Sequence, residues 1–323
     1  MPSKLSIIMY HYVRDLKHSR FPEIKGLATD QFLEQILFIK KHYHVICPKE
    51  AIEAVLNREP LPPKALLLTF DDGYADHYTQ VFPILDQLRL SACFFPPARS
   101  VLEKKVLTVN KIHFILASVP DKNGIIEDIF SLIENNRNGY QLKESDYYWS
   151  LVERSRYDTR ESMFIKCILQ RDLPAPLRTE ITDQLFSKYV SQDEAAFASE
   201  LYLSADQIKC MIRHGMYVGS HSYNHDWLDK LPEAEMVTDL DRSLDFLKNL
   251  GAPIKRWIMN YPYGAYSDQV LSAVQERNCA IGLSTTVGVA DLEKDHALTL
   301  PRLDTNDLPK ERSANPNQWY QQG

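Results

Sequence analysis

Residues 65–73 read Ala-Leu-Leu-Leu-Thr-Phe-Asp-Asp-Gly. A short run dominated by apolar residues, bounded by turn residues, is the pattern of a strand buried on both faces, as in a parallel sheet. This one stops abruptly at two adjacent carboxylates and a glycine. Working outward, a helix is expected over about 75–88 and a further strand over 92–95. Upstream, Leu5-Ser6-Ile7-Ile8-Met9 gives a first strand. Thr29 or Asp30 then caps a helix in which Phe32, Leu33, Ile36 and Leu37 recur at helical spacing. Pro48 opens another helix, reaching Leu56. Strands alternating with helices imply βα units and a parallel sheet or barrel.

The rhythm is lost over about 101–203, where long helical patterns such as 147–154 and 177–190 dominate; this stretch reads as a helical insertion. It resumes after Ser204, which forms a capping box with Gln207. Strands are expected at 216–219, 256–259, 279–283 and 298–300, and helices at 232–250 and 267–277. The domain expectation is a barrel over 1–305, interrupted at about 101–203, with a polar tail at 306–323.

Charge and composition narrow the function. The 37 basic and 43 acidic residues give a net charge of −6, so the basic excess that grips nucleic-acid phosphates is missing. Five widely spaced cysteines, odd in number and without a C-x-x-C pair, argue against a disulfide framework or a cysteine-rich zinc site. The apolar run at 5–10 is too short for a secretory signal, and no stretch approaches the ~20 apolar residues of a membrane span. These features predict a cytoplasmic protein with free thiols.

Three clusters fall where predicted strands end, the place where α/β barrels put their active sites. Asp71-Asp72-Gly73 is the first. Adjacent carboxylates after a buried strand are costly unless a cation or proton relieves them; the same residues also suit a plain Asp-Gly turn. The second is His221-Ser222-Tyr223-Asn224-His225. Imidazoles four residues apart lie on one face of a helical turn and can reach one metal ion, or they are two surface histidines on a loop. One Asp and two His make a three-ligand site with an open position, as hydrolytic metal centres require. The third, Asn260-Tyr261-Pro262-Tyr263-Gly264, is a tight turn able to aim backbone N–H groups into a cleft.

Together these clusters resemble the polysaccharide deacetylases, carbohydrate esterases that share the NodB homology domain. The family motif T-F-D-D-G stands intact at Thr69–Gly73, and H-[ST]-x-x-H at His221–His225. R-x-P-Y-G is matched at Pro262-Tyr263-Gly264, with Asn260 in place of the arginine. The resemblance covers about 1–100 and 204–305 and implies a distorted (β/α) barrel of about seven strands, with the helical insertion outside it. It implies a divalent metal on Asp72, His221 and His225, with Zn²⁺ favoured over Co²⁺, Ni²⁺ or Mn²⁺. Asp71 would take a proton from the hydrolytic water, and the Tyr263 backbone N–H would bind the oxyanion. The late L-x-H motif that usually supplies the acid is missing; His296, in Asp295-His296-Ala297, matches it poorly. Met9-Tyr10-His11-Tyr12 resembles the opening of the biofilm poly-N-acetylglucosamine deacetylases, which makes His11 the acid. Arg302, read as lying after a late strand, is a candidate to replace the missing arginine.

The expectation is metal-dependent N-deacetylation of an acetamido sugar, an intermediate of surface-glycan biosynthesis. The alternatives are an amidase or deformylase acting on another C–N bond, and a relic site that only binds sugar. Partners are limited to the N-acetylated sugar, with no nucleic acid and no membrane span. His77 lines the cleft or is structural, and Trp227 packs beneath the metal loop.

Overall fold

A computed structural model describes residues 3–155 and 158–323. The chain divides into two compact units, Met1–Asp15 with Gly26–Lys104 and Ser199–Gly323, and Leu16–Lys25 with Lys105–Ala198.

Seven parallel strands build the first unit: β1 Lys4–Tyr10, β2 Ala65–Asp71, β3 Cys93–Phe95, β4 Tyr217–Val218, β5 Trp257–Asn260, β6 Cys279–Val287 and β7 Leu300–Asp304. Their order is β4-β3-β2-β1-β7-β6-β5. Ser6–Tyr10 of β1 pairs in register with Leu66–Phe70 of β2, and Ile8 and Met9 also pair with Leu303 and Asp304. A parallel bridge from Ser220 to Met259 joins the two edges, with the Ser220 N–H donating to the Ile258 carbonyl at 3.0 Å. The sheet therefore curls into a distorted (β/α) barrel, as the sequence implied.

Side-chain alternation sorts the strand residues. Leu66, Leu68 and Phe70 face outward into a core shared with the surrounding helices, whereas Ala65, Leu67, Ile258, Leu283 and Leu300 fill the interior. Two or four positions further along the strands, the same inward phase delivers Thr69, Asp71, Asn260 and Arg302. The late strand is Leu300–Asp304 rather than 298–300, because residues 296–299 turn on the Thr299 N–H to His296 carbonyl bond before the ladder to β6 begins. Arg302 thus lies within a strand, not after one. The first long helix, Thr29–His42, has Ala28 at its N-cap and no side-chain cap. Asp30 instead sits in the first turn, where its charge complements the helix dipole.

The second unit is helical, with Thr108–Ser118, Lys122–Asn135, Arg160–Cys167 and Ala175–Tyr189 its main elements. Phe21 joins it, edge-on to Phe114 at 4.9 Å and to Phe197 at 5.9 Å. Lys111 is buried there between Asp183 and Glu194, at 2.6 and 2.9 Å. Among the described residues no helix is long and apolar enough to cross a membrane.

Candidate functional site

Because all seven strands run the same way, their C-terminal ends share one mouth. At that mouth β2 points Asp71 inward, 2% exposed. Arg302 of β7 meets it in a bidentate pair, with Nη1 2.9 Å from Oδ1 and Nη2 2.9 Å from Oδ2. The guanidinium is spent elsewhere too: Nε donates to the Ser284 carbonyl at 2.9 Å and Nη1 to Thr69 Oγ1 at 3.2 Å. Burial alone would push the Asp71 carboxyl up, but Arg302, with His11 and His221, outweighs it and holds the group below its ordinary value. Asp71 is therefore ionised. His11, just past the end of β1, brings Nε2 to 3.8 Å from Asp71 Oδ2 and keeps 41% of its side chain exposed.

Asp72 follows in the left-handed region at φ 68°, and its carboxylate meets the two histidines. Gly73 continues the turn at φ 66°, where a Cβ would lie 2.6 Å from Pro96 Cβ; only glycine fits. Asp72 Oδ1 lies 3.4 Å from Nε2 of both His221 and His225. Its other oxygen, Oδ2, accepts from the Tyr74 hydroxyl at 2.5 Å. Burial and the Asp72 charge keep the Tyr74 phenol well above its usual range, so it remains a donor. Burial raises the Asp72 carboxyl too, but the two imidazoles hold it well below the usual carboxylate range.

The histidine segment is not the helical turn expected from the four-residue spacing. Ser222 and His225 adopt φ of 60° and 62°, so the chain loops back and converges both rings. The loop is fixed by Asp239, a buried carboxylate that accepts the Tyr223 and Asn224 N–H groups, each at 2.8 Å. The Ser222 hydroxyl accepts the His225 N–H at 2.9 Å. His221 Nδ1 bonds the Asn260 carbonyl at 2.6 Å; a carbonyl only accepts, so Nδ1 carries a proton and Nε2 is the nitrogen turned to Asp72 Oδ1.

These donors fit a metal ion. Two ligands on one tetrahedral ion, with bonds of about 2.0–2.1 Å, stand about 3.3–3.4 Å apart. The observed 3.4 Å matches that spacing and exceeds the usual hydrogen-bond range. All three ligand atoms lie within 4.8 Å of one another, and all three residues are buried. A carbonyl behind His221 is the support that metal-bound imidazoles require.

The remaining candidates divide. Tyr263 holds φ 58°, ψ 8°, with its ring edge-on to His225 at 4.8 Å and stacked on Trp227 at 4.4 Å. Trp227 thus packs beside the histidine loop. The Asn260 amide is fully buried, and neither of its polar atoms has a hydrogen-bond partner among the described residues. His77 is buried, pushed down to about 4 by desolvation, and its Nε2 bonds the His11 carbonyl at 2.8 Å. It holds the backbone of His11 rather than lining the cleft. His296 precedes β7, at the opposite end of the barrel from Asp71.

The family model described as polysaccharide deacetylase matches residues 58–114 and 181–281, which include both carboxylates and both histidines. The chain belongs to the polysaccharide deacetylase family. It is 32% identical over 107 residues to the polysaccharide deacetylase YxkH of Bacillus subtilis (strain 168), covering 33% of this chain and 37% of that protein. It is 36% identical over 91 residues to the poly-beta-1,6-N-acetyl-D-glucosamine N-deacetylase of Escherichia coli (strain K12), covering 28% of this chain and 13% of that one. The chain therefore spans well under half the length of these relatives. Two solved structures share the fold over nearly the whole chain. Streptococcus pyogenes deacetylase PplD, solved in complex with acetate, superposes with a TM-score of 0.58 at 19% identity, covering 94% of this chain and 93% of that one. IcaB from Ammonifex degensii gives 0.56 at 18%, covering 94% and 91%.

Sequence reasoning on this polysaccharide deacetylase missed Asp239 and Tyr74. Asp239 had a signal: it falls on the buried stripe Met236, Leu240, Ser243, Leu247 of the helix Glu233–Leu250, where a charge needs a partner. Tyr74 had none beyond its adjacency to the turn.

Proposed function

We propose that this chain hydrolyses the acetamido group of an N-acetylated sugar, releasing acetate and a free amine, with a divalent metal held by Asp72, His221 and His225. The observation behind this reading is the unlike treatment of two adjacent carboxylates. Asp72 faces two imidazoles as a ligand does, while Asp71 is clamped by Arg302 in its ionised state next to them. An Asp–His–His set with buried donors suits Zn²⁺. When bound, the ion supplies Lewis-acid polarisation of the acyl carbonyl and eases deprotonation of water.

The chain's own residues do the rest. Asp71 takes the proton of the attacking water. Arg302 fixes the carboxylate and supplies the charge that Asn260 lacks; Asn260 contributes its carbonyl, which orients His221. The Tyr263 N–H donates to the oxygen that gains charge as water adds. His11 gives a proton to the departing nitrogen, a role suited to an imidazole. One water and one amide thus become one acetate and one amine.

Likeness to a poly-beta-1,6-N-acetyl-D-glucosamine N-deacetylase supports an N-acetylated amino sugar as substrate. Five free thiols support a reducing, cytoplasmic setting, and with it an intermediate of surface-glycan assembly rather than finished polymer. Metal analysis with acetate release over free, nucleotide-linked, lipid-linked and polymeric N-acetylated sugars tests the proposal. Acetate and amine are expected in equal amounts, lost with a chelator and restored by Zn²⁺. Formate or another acid as product points to the deformylase or amidase reading. Sugar binding without turnover by the metal-loaded protein would leave only a relic site.

A further inference from the structure

Tyr74 lies two residues beyond Asp72, buried, with its hydroxyl 2.5 Å from Asp72 Oδ2. A carboxylate has no proton to give, so the phenol is the donor. The other oxygen, Oδ1, is the one that faces His221 and His225. The two oxygens of this carboxylate are thus assigned to different partners. Two other rings hold Tyr74. Tyr12 stacks on it at 4.0 Å and 20° between planes, and Tyr202 lies nearly parallel at 6.2 Å. The backbone is pinned by a Tyr74–Tyr202 bridge and by the Leu203 N–H on the Gly73 carbonyl at 2.9 Å.

We propose that Tyr74 is a positioning residue that restricts Asp72 to binding a metal ion through one oxygen. The inference rests on the metal-centre reading above. With Oδ2 engaged by the phenol, the carboxylate presents only Oδ1, which keeps the coordination number low and leaves room beside the three ligands for water and substrate. Without the hydroxyl, Oδ2 is free to swing onto the ion, and the carboxylate loses the contact that aims it.

Tyr74→Phe keeps the ring stack and removes only the hydroxyl. Zn²⁺ affinity is measured by competition with a chromophoric chelator, the visible spectrum is recorded with Co²⁺, and the metal-free proteins are melted for comparison. Outer contacts of this kind are worth about 10–100-fold in metal affinity, so Zn²⁺ binding is expected to weaken by about that factor. The Co²⁺ bands are expected to lose intensity as the second oxygen joins, while the metal-free melting temperature changes little. Unchanged affinity together with an unchanged Co²⁺ spectrum overturns the proposal. A wild-type protein that takes up neither ion refutes the metal-centre reading itself, a distinguishable result. If Tyr74→Phe does not fold, the same two measurements are made on Tyr74→Leu, which also lacks the hydroxyl, with the same expected weakening and the same overturning result.

Discussion

The lower and upper halves of the barrel interior are made by the same strands in the same inward phase. Leu67, Ile258 and Leu300 fill the lower half; two or four positions on, Asp71, Asn260 and Arg302 occupy the upper. Burial is equally complete in both. What differs is how each half is held together. The lower residues stabilise by leaving water, at about 1.5–3 kcal/mol for each fully buried aliphatic side chain. The upper ones gain no such term, and a buried ion pair is weak evidence for stability. The apolar half therefore supports a mouth whose charges are kept for chemistry, which leads to opposite expectations for substitutions a few ångströms apart.

The strongest break comes from His221→Ala. Only two donors remain, so bound metal and turnover are expected to vanish together, as measured by elemental analysis and acetate release. Full metal occupancy in that variant would remove the ligand set from the upper half.

Asp71→Asn keeps shape and metal but removes the proton acceptor. Turnover should fall about 10²–10⁴-fold, the usual worth of general acid–base catalysis. Near-normal rates would place the base elsewhere.

Arg302→Met leaves Asp71 buried without its cation, at a cost of about 3–5 kcal/mol in denaturant titrations. The pH sign follows from the depressed Asp71 value. Its stabilisation is present above the ordinary carboxylate range and is lost as pH falls through the lower folded value. Without Arg302 that folded value rises, so the acid limb of the pH–rate profile should move to higher pH. An unmoved limb would detach Arg302 from Asp71.

Leu67→Ala, one inward step below Thr69, sharpens the contrast from the other side. It should cost about 2–5 kcal/mol of stability while leaving turnover per folded molecule nearly unchanged. A selective loss of turnover would mean that the halves are not separable.

Much of this contrast was legible in the sequence because it is local. An uncharged run ending in Asp71-Asp72-Gly73 fixes a strand, its end and a pair of carboxylates within nine residues. The four-residue spacing of His221 and His225 reported convergence correctly but gave the wrong backbone. The rings meet through left-handed residues that only the loop's hydrogen bonds to Asp239 make tolerable. Arg302 was recognisable as a candidate, but its pairing depends on β1 lying between β2 and β7, an order no local pattern records. The Tyr74–Asp72 bond was hidden for a different reason, since a hydroxyl's aim depends on which rings pack around it.

The Arg302–Asp71 clamp also has a history in time. Its two residues are 231 positions apart, and ribosomes add about 5–20 residues per second. Asp71 is therefore synthesised roughly 10–50 seconds before the arginine that makes its ionised burial tolerable. Until then, the nascent barrel has every reason to leave that carboxylate in water. The last strand to be made inserts between β1 and β6, so Asp72 has all its partners in the chain before Asp71 has its own.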